Sequence, residues 1–110
     1  MAGDKTRNQY DADGSADQMS DKITDRVIYS GRVQGVGFRY AVHSMARRRP
    51  VTGFVRNLAD GTVELLVQGK KGDVEALLAE VAAHFRNNIL ACERFPTAGP
   101  DSFEGFEIRF

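Results

Sequence analysis

The sequence predicts an α+β sandwich in which one antiparallel sheet carries two helices on one face. Several short segments repeat with a period of two, which is typical of strands, and two others repeat apolar residues every three or four positions, which is typical of amphipathic helices. These segments follow one another in the order β-α-β-β-α-β, with a short strand after them. A chain of 110 residues has room for one small core and no second folded domain.

The first 25 residues are predicted to form a disordered polar extension. They are rich in Asp, Ser, Gly and Asn, and their apolar residues follow neither period. A segment of this kind buries too little apolar surface to offset the entropy lost on ordering. We therefore expect the folded domain to span residues 26–110, with its first strand beginning near Val27.

The first strand and the first helix lie on either side of a glycine-rich stretch. Residues 27–33 repeat with a period of two, which predicts a strand. The helix that follows ends near residues 47–49, three arginines before Pro50, and cations at this end suit the helix dipole. Its apolar stripe consists of Phe38, Ala41, Val42 and Met45.

The rest of the chain completes the predicted order. Residues 51–57 and 62–68 are β-rich runs joined by an Asp-Gly turn, which predicts a hairpin. A second helix is indicated over residues 74–85, a short strand over 89–96 and a closing strand over 106–110. Two β-α-β halves with a hairpin between them are typical of a split β-α-β, or ferredoxin-like, sandwich.

Composition excludes several classes of function. Lys plus Arg equals Asp plus Glu at 15 each, so no net field attracts nucleic acid or an anionic membrane. The single cysteine, Cys92, cannot form an intramolecular disulfide, and no Cys-x-x-Cys pair is present to bind zinc. No apolar run approaches the roughly 20 residues of a membrane span, and the N-terminus has no apolar signal core. We expect a cytoplasmic protein with no membrane or nucleic-acid partner.

A candidate anion site lies between the first strand and the first helix, in residues 34–38, called here the glycine loop. Gly35 and Gly37 permit a tight turn with positive φ and leave no side chain to block an approaching group. Successive amides can then point into one concavity at a helix N-terminus, and Arg39 can add a planar pair of donors. On spacing alone, a plain tight turn followed by a solvated arginine is the favoured interpretation.

Two familiar phosphate-binding motifs do not fit the glycine loop. A dinucleotide fingerprint requires a third glycine where Tyr40 stands. A P-loop requires Gly-Lys-Ser/Thr at the start of the helix, where this chain has Gly37, Phe38 and Arg39.

Asn57 is a second candidate, at the end of the strand before the Asp-Gly turn. An amide side chain both donates and accepts hydrogen bonds, so it could orient a water molecule. The alternative is that it merely forms the turn, as asparagine often does. His43 and His84 lie on the two helices and are interpreted as surface residues, and Asp60 and Glu64 as a turn residue and an outward strand residue.

These candidates coincide with a known pattern. The stretch "GRVQGVGFR" followed by "GFVRNLADGTVE" resembles the paired signature of acylphosphatases, small ferredoxin-like enzymes that hydrolyse acyl phosphates to a carboxylate and inorganic phosphate. The resemblance covers about residues 26–110. The chain departs from the family in "RNNILACERFP", where a Gly-Pro pair is common, and in "ARRRPVTG", which replaces a more apolar link.

The resemblance implies a role for each motif residue. The phosphate would be bound by the backbone of the glycine loop: Gln34, Gly35, Val36, Gly37 and Phe38. Arg39 would bind the same phosphate, and Asn57 would position the attacking water. The resemblance further implies no metal, no cofactor and no phosphoenzyme, and we expect a monomer that acts on a small acyl phosphate.

Three alternatives stay open at this point. A non-catalytic anion-binding module would retain the glycine loop without needing Asn57. A nucleic-acid binder would use the basic cluster at residues 47–49, although the aromatic RNA-binding signature is absent from the sequence. Larger carbamoyl-transfer enzymes also contain an acylphosphatase-like segment, to which this chain could correspond in fold.

Overall fold

The computed structural model describes residues 22–99 and 103–110. The predicted order of elements is confirmed in this part of the chain. The elements are β1 (Lys22–Gly31), α1 (Phe38–Arg47), β2 (Thr52–Asn57), β3 (Val63–Lys70), α2 (Lys71–His84), β4 (Ile89–Pro96) and β5 (Phe106–Arg109). Neither of these two helices is long and apolar enough to cross a bilayer.

The five strands form one sheet in the order β4-β1-β3-β2-β5. Every neighbouring pair is antiparallel except β2 and β5, which are parallel, so the predicted antiparallel sheet becomes mixed at one edge. The reason is the connection between β4 and β5, which lie at opposite edges. Strand β5 runs in the direction opposite to β4, and described residues at each side of the connection bond to the sheet, from the Thr97 amide to the Thr24 carbonyl and from the Gly53 amide to the Gly105 carbonyl.

Both helices pack on one face of the sheet, as the ferredoxin-like prediction requires. Strands β1 and β3 contribute alternate residues to this face, and α1 and α2 cover them and contact each other. The resulting core is a single cluster that includes Val27, Tyr29, Phe38, Val42, Val55, Leu65, Val67, Val74, Leu77 and Val81. The last residue of the glycine loop belongs to this core, because the centroid of the Phe38 ring lies 5.1 Å from that of Tyr29.

Strand β1 begins at Lys22, several residues before the predicted start of the domain. Residues 22–25, which the sequence assigned to the polar extension, pair with β3, and Asp25 is buried opposite Val67. The Asp25 carboxylate accepts a hydrogen bond from Arg94 of β4, which also donates to Glu75 of α2. This ion pair allows a polar stretch to continue a strand. The remainder of the predicted extension, residues 1–21, lies outside the described residues.

The other face of the sheet carries a second charged cluster. Glu64 points away from the core as predicted, yet its side chain is only 6% exposed because Arg26 and Arg56 cover it. Each arginine donates to one carboxylate oxygen at 2.5 Å. Burial alone would raise the pKa of Glu64, but the hydrogen bonds and charges of the two arginines outweigh it, so the pKa lies below its usual value.

Candidate functional site

A small cavity of about 150 Å³ lies at the end of the sheet where β1 and β2 both terminate. It contains parts of all three features singled out in the sequence, the glycine loop, Arg39 and Asn57. Its lining consists of Val33, Gly35, Gly37, Phe38, Arg39, Tyr40 and Asn57. Gln34 and Val36, in the same loop, are not part of this lining.

The backbone of the glycine loop adopts the conformation that glycine permits most readily. Gly35 has φ of 75° and Gly37 has φ of 80°. A Cβ atom added at either position would meet no atom within 4 Å. The requirement for glycine therefore comes from the positive φ and not from crowding by neighbouring protein atoms.

The N-terminus of α1 is available to an anion. Gly37 caps the helix without a side-chain hydrogen bond, and the first turn contains no acidic residue, whereas the first turn of α2 contains Asp73. Within residues 22–99 and 103–110, the amides of the glycine loop donate no hydrogen bonds. Unpaired amides and the positive end of the helix dipole together favour a negatively charged group at this point.

Arg39 adds a full positive charge to the cavity, and β5 holds its side chain. The Nη1 atom of Arg39 donates a hydrogen bond to the Arg109 carbonyl at 3.3 Å. The guanidinium carbon lies 4.7 Å from the centroid of the Phe110 ring. Sequence reasoning missed this contact, because the alternation in residues 106–110 predicts a strand but says nothing about which helix its end will reach.

Asn57 is one of the residues that line the cavity. It is the last residue of β2 and pairs with Val63 of β3. Its Oδ1 atom is buried and, within the described part of the chain, has no hydrogen-bond partner. A buried oxygen without a partner is costly, so a group that donates a hydrogen bond to it would be favoured at this position.

The turn after Asn57 is held by another residue. Asp60 accepts hydrogen bonds from the Thr62 amide at 3.0 Å and from the Thr62 hydroxyl at 2.6 Å. These bonds also hold the pKa of Asp60 below its usual value. The interpretation of Asp60 as the turn residue is confirmed, and the alternative that Asn57 serves to form the turn loses its support.

The other polar candidates lie away from the cavity. The His43 ring packs 6.2 Å from that of Phe106, on the side of α1 that contacts β5, and the His84 ring lies beside Phe85 at 4.7 Å. Cys92 is on the exposed edge strand β4. None of these three residues lines the cavity.

The cavity of about 150 Å³ is lined by part of the glycine loop, by the cation of Arg39 and by the amide residue Asn57. The donors belong to the loop and the helix N-terminus, which follow β1, while Asn57 stands at the end of β2, on the other side of β3 in the sheet. The fold and the cavity therefore define the class of protein, a small ferredoxin-like domain with a site suited to a compact anion.

Comparison with known proteins specifies the family. The sequence profile described as Acylphosphatase matches residues 25–108. The chain is 38% identical over 91 residues to an acylphosphatase of Synechococcus sp. (strain JA-2-3B'a(2-13)), an alignment that covers 83% of this chain and 97% of the relative. It is 40% identical over 93 residues to an acylphosphatase of Natronomonas pharaonis, with 83% and 99% covered.

The fold comparison agrees. The crystal structure of acylphosphatase from Bacillus subtilis superposes with a TM-score of 0.71 at 30% sequence identity, covering 80% of this chain and 99% of that one. The chain belongs to the acylphosphatase family.

Proposed function

We propose that this protein is an acylphosphatase, a hydrolase of acid anhydrides (EC 3.6.1.7) that converts an acyl phosphate to a carboxylate and inorganic phosphate by direct in-line attack of water. Family membership supports the reaction. The observation that carries the assignment is that Asn57, whose Oδ1 is buried and has no partner within the described residues, lines the same cavity as Arg39 and part of the glycine loop. An anion-binding module would need the donors but not this acceptor.

The glycine loop and Arg39 bind the phosphoryl group in this proposal. The amides of residues 34–38 donate to its oxygens, and the guanidinium group of Arg39 supplies two further donors. Negative charge shifts among the phosphoryl oxygens as the bond to the acyl group breaks. Donors that are already fixed in place stabilise this charge without the cost of reorientation.

Asn57 binds the attacking water. Its Oδ1 accepts a hydrogen bond from the water. This bond orients the water so that a lone pair of the water oxygen faces phosphorus, opposite the departing carboxylate. Attack forms the bond between the water oxygen and phosphorus and breaks the bond between phosphorus and the acyl oxygen, which leaves as a carboxylate with both bonding electrons. The protons of the attacking water pass to solvent and to the phosphate product.

The reaction does not require a strong general acid or general base. A carboxylate is a good leaving group, so positioning and charge neutralisation supply most of what phosphoryl transfer needs. The residues that line the cavity include one cation and amide groups, and no carboxylate or imidazole among them would attract a metal. We therefore propose a reaction that needs no metal, no cofactor and no phosphoenzyme.

The remaining features of the proposal rest on the sequence. Balanced charge favours a small acyl phosphate over nucleic acid as the partner. We also propose a monomer that works in the cytoplasm, where the single cysteine would stay reduced.

The decisive experiment is hydrolysis of benzoyl phosphate in ¹⁸O-labelled water with a chelator present. Attack at phosphorus places the label in inorganic phosphate, whereas attack at the carbonyl carbon places it in benzoate. We expect turnover by the native chain with label in phosphate alone. Label in benzoate, or turnover abolished by the chelator, would contradict the mechanism, and an inert protein that still binds phosphate would reduce it to an anion-binding module.

A further inference from the structure

The side chain of Gln34 points to a part of the site other than the phosphate. Its Nε2 atom donates one hydrogen bond to the Leu58 carbonyl at 2.8 Å and another to the Thr62 carbonyl at 2.9 Å. Both hydrogens of a single NH₂ group are therefore used. The family resemblance assigned only the backbone of this residue to the site.

The two acceptors flank the turn that follows Asn57. Leu58 is the next residue along the chain, and its amide donates to the Thr62 carbonyl at 2.9 Å, so the same carbonyl closes the turn and accepts from Gln34. Within the described residues, no other hydrogen bond joins residues 33–37 to residues 57–62. One side chain thus connects the glycine loop with the segment that begins at Asn57.

We propose that Gln34 is a positioning residue, which fixes the distance and angle between the phosphate bound by the glycine loop and the water bound by Asn57. This inference rests on the proposed function, because only an in-line attack requires the two to be aligned. The phosphate donors belong to the β1–α1 connection and the water acceptor to the end of β2. A displacement of about 1 Å between such groups can reduce turnover by about 10²-fold while leaving each able to bind its own ligand.

The geometry also explains why glutamine suits the position. The carbonyl oxygens of Leu58 and Thr62 both accept from one nitrogen, so the side chain must end in a group with two hydrogens. Glutamine has such an NH₂ group at the required distance from the backbone. An ionised glutamate would place a carboxylate against two carbonyls and repel them, although its protonated form would donate one hydrogen bond. Methionine would fill a similar volume with no donor at all.

The test uses Gln34→Met in the full chain, with Gln68→Met as the matched control. Gln68 is a buried glutamine of β3 that donates to the Thr24 hydroxyl at 2.9 Å, outside the cavity lining. For Gln34→Met we expect kcat for benzoyl phosphate to fall about 10- to 100-fold while the inhibition constant of inorganic phosphate changes less than about 3-fold. For Gln68→Met we expect a lower Tm and an unchanged kcat per folded molecule.

Other outcomes would overturn the inference. If kcat of Gln34→Met stays within about 2-fold of native, the alignment does not depend on this side chain. If phosphate affinity falls as much as kcat, Gln34 supports the glycine loop itself and not its alignment with Asn57. Failure of the proposed function is distinguishable, because the native chain would then be inactive as well.

A second variant covers the case in which Gln34→Met does not fold. We expect kcat of Gln34→Glu, relative to native at saturating substrate, to rise as pH falls through the normal range of a glutamate, near 4.3, because the protonated acid regains one hydrogen bond. A ratio that does not change with pH would count against the positioning role.

Discussion

The guanidinium group of Arg39 rests on the ring of Phe110, with 4.7 Å between the guanidinium carbon and the ring centroid. The two residues belong to opposite parts of the chain, and the adjacent hydrogen bond from Arg39 to the Arg109 carbonyl spans 70 positions. A cation over an aromatic face gains about 0.5–1 kcal/mol at an exposed site. Arg39 is therefore partly ordered before any anion arrives, which reduces the entropy lost when it binds one.

Replacement of Phe110 tests this ordering. We expect Phe110→Ala to weaken inhibition by inorganic phosphate about 2- to 5-fold, because an unrestrained Arg39 loses more freedom on binding, at about 1.4 kcal/mol per tenfold change. Phe95→Ala is the matched control, since Phe95 is a partly exposed aromatic on β4. Equal effects of the two variants would show that the Phe110 ring has no special role.

Removal of the Arg39 charge should have the largest effect. We expect Arg39→Ala to lower kcat/KM for benzoyl phosphate by about 10²- to 10⁴-fold, by analogy with the loss of oxyanion donors and arginine fingers. Arg48→Ala is the control, since Arg48 is an exposed arginine of a surface ion pair with Glu80. A variant at position 39 that retains half of the native activity would exclude this arginine from the reaction.

Asn57 should show opposite effects on activity and stability. Because its Oδ1 is buried without a partner in the described chain, we expect Asn57→Ala to keep or raise the free energy of unfolding while kcat falls and the phosphate inhibition constant changes little. Urea unfolding and steady-state kinetics measure the two quantities. Asn88→Ala, which removes a hydrogen bond to the Arg32 carbonyl, should instead lower stability and spare kcat. A parallel loss of stability and phosphate binding in Asn57→Ala would indicate a structural role.

Glu64 should contribute to stability in a pH-dependent way. Its pKa is lowered in the folded state, so the contribution is fully present above the unfolded pKa near 4.3 and disappears as pH falls through the folded value. We expect Glu64→Gln to be less stable than native at pH 7 and closer to native at pH 3, as measured by urea unfolding. A deficit of the same size at both pH values would mean that the ionised carboxylate is not the source.

Two glycine-to-alanine variants separate the effect of a positive φ on stability from the effect of helix propensity. We expect Gly37→Ala to lower the free energy of unfolding by about 1–2 kcal/mol, because φ of 80° disfavours a Cβ even where space is free. Gly72→Ala is the counterpart: Gly72 lies in α2, with open space around its Cβ position and an ordinary φ. There we expect a gain of about 0.4–1 kcal/mol. Destabilisation of equal size at both sites would contradict the assignment to φ.

The parts of the fold that could be predicted are those set by local periodicity. The apolar stripe that begins at Phe38 and the β-rich runs in residues 51–57 and 62–68 depend on neighbours a few positions away, and the structure confirms each element. The start of β1 could not be predicted in this way. Its polar residues join the sheet through Asp25 and Arg94, which are 69 positions apart.

The candidate site shows the same division. The glycine loop, Arg39 and Asn57 were visible as motifs, and the structure brings part of the loop and both of these residues into one cavity. The contacts that fix them were not visible, because no periodic pattern encodes the bonds from Gln34 to Leu58 and Thr62 or the contact between Arg39 and Phe110. Side-chain contacts over long separations depend on the completed fold.

The parallel edge strand β5 also affects how the molecule loses activity. It is a four-residue strand that pairs only with β2 in the described sheet, and it carries the anchor for Arg39. Short edge strands fray by local unfolding at a much smaller cost than global unfolding, and amide hydrogen exchange reports such openings. Each fraying event would release the arginine while the helices stay packed. At low denaturant concentration, enzymatic activity should therefore be lost before the circular dichroism signal of the helices declines.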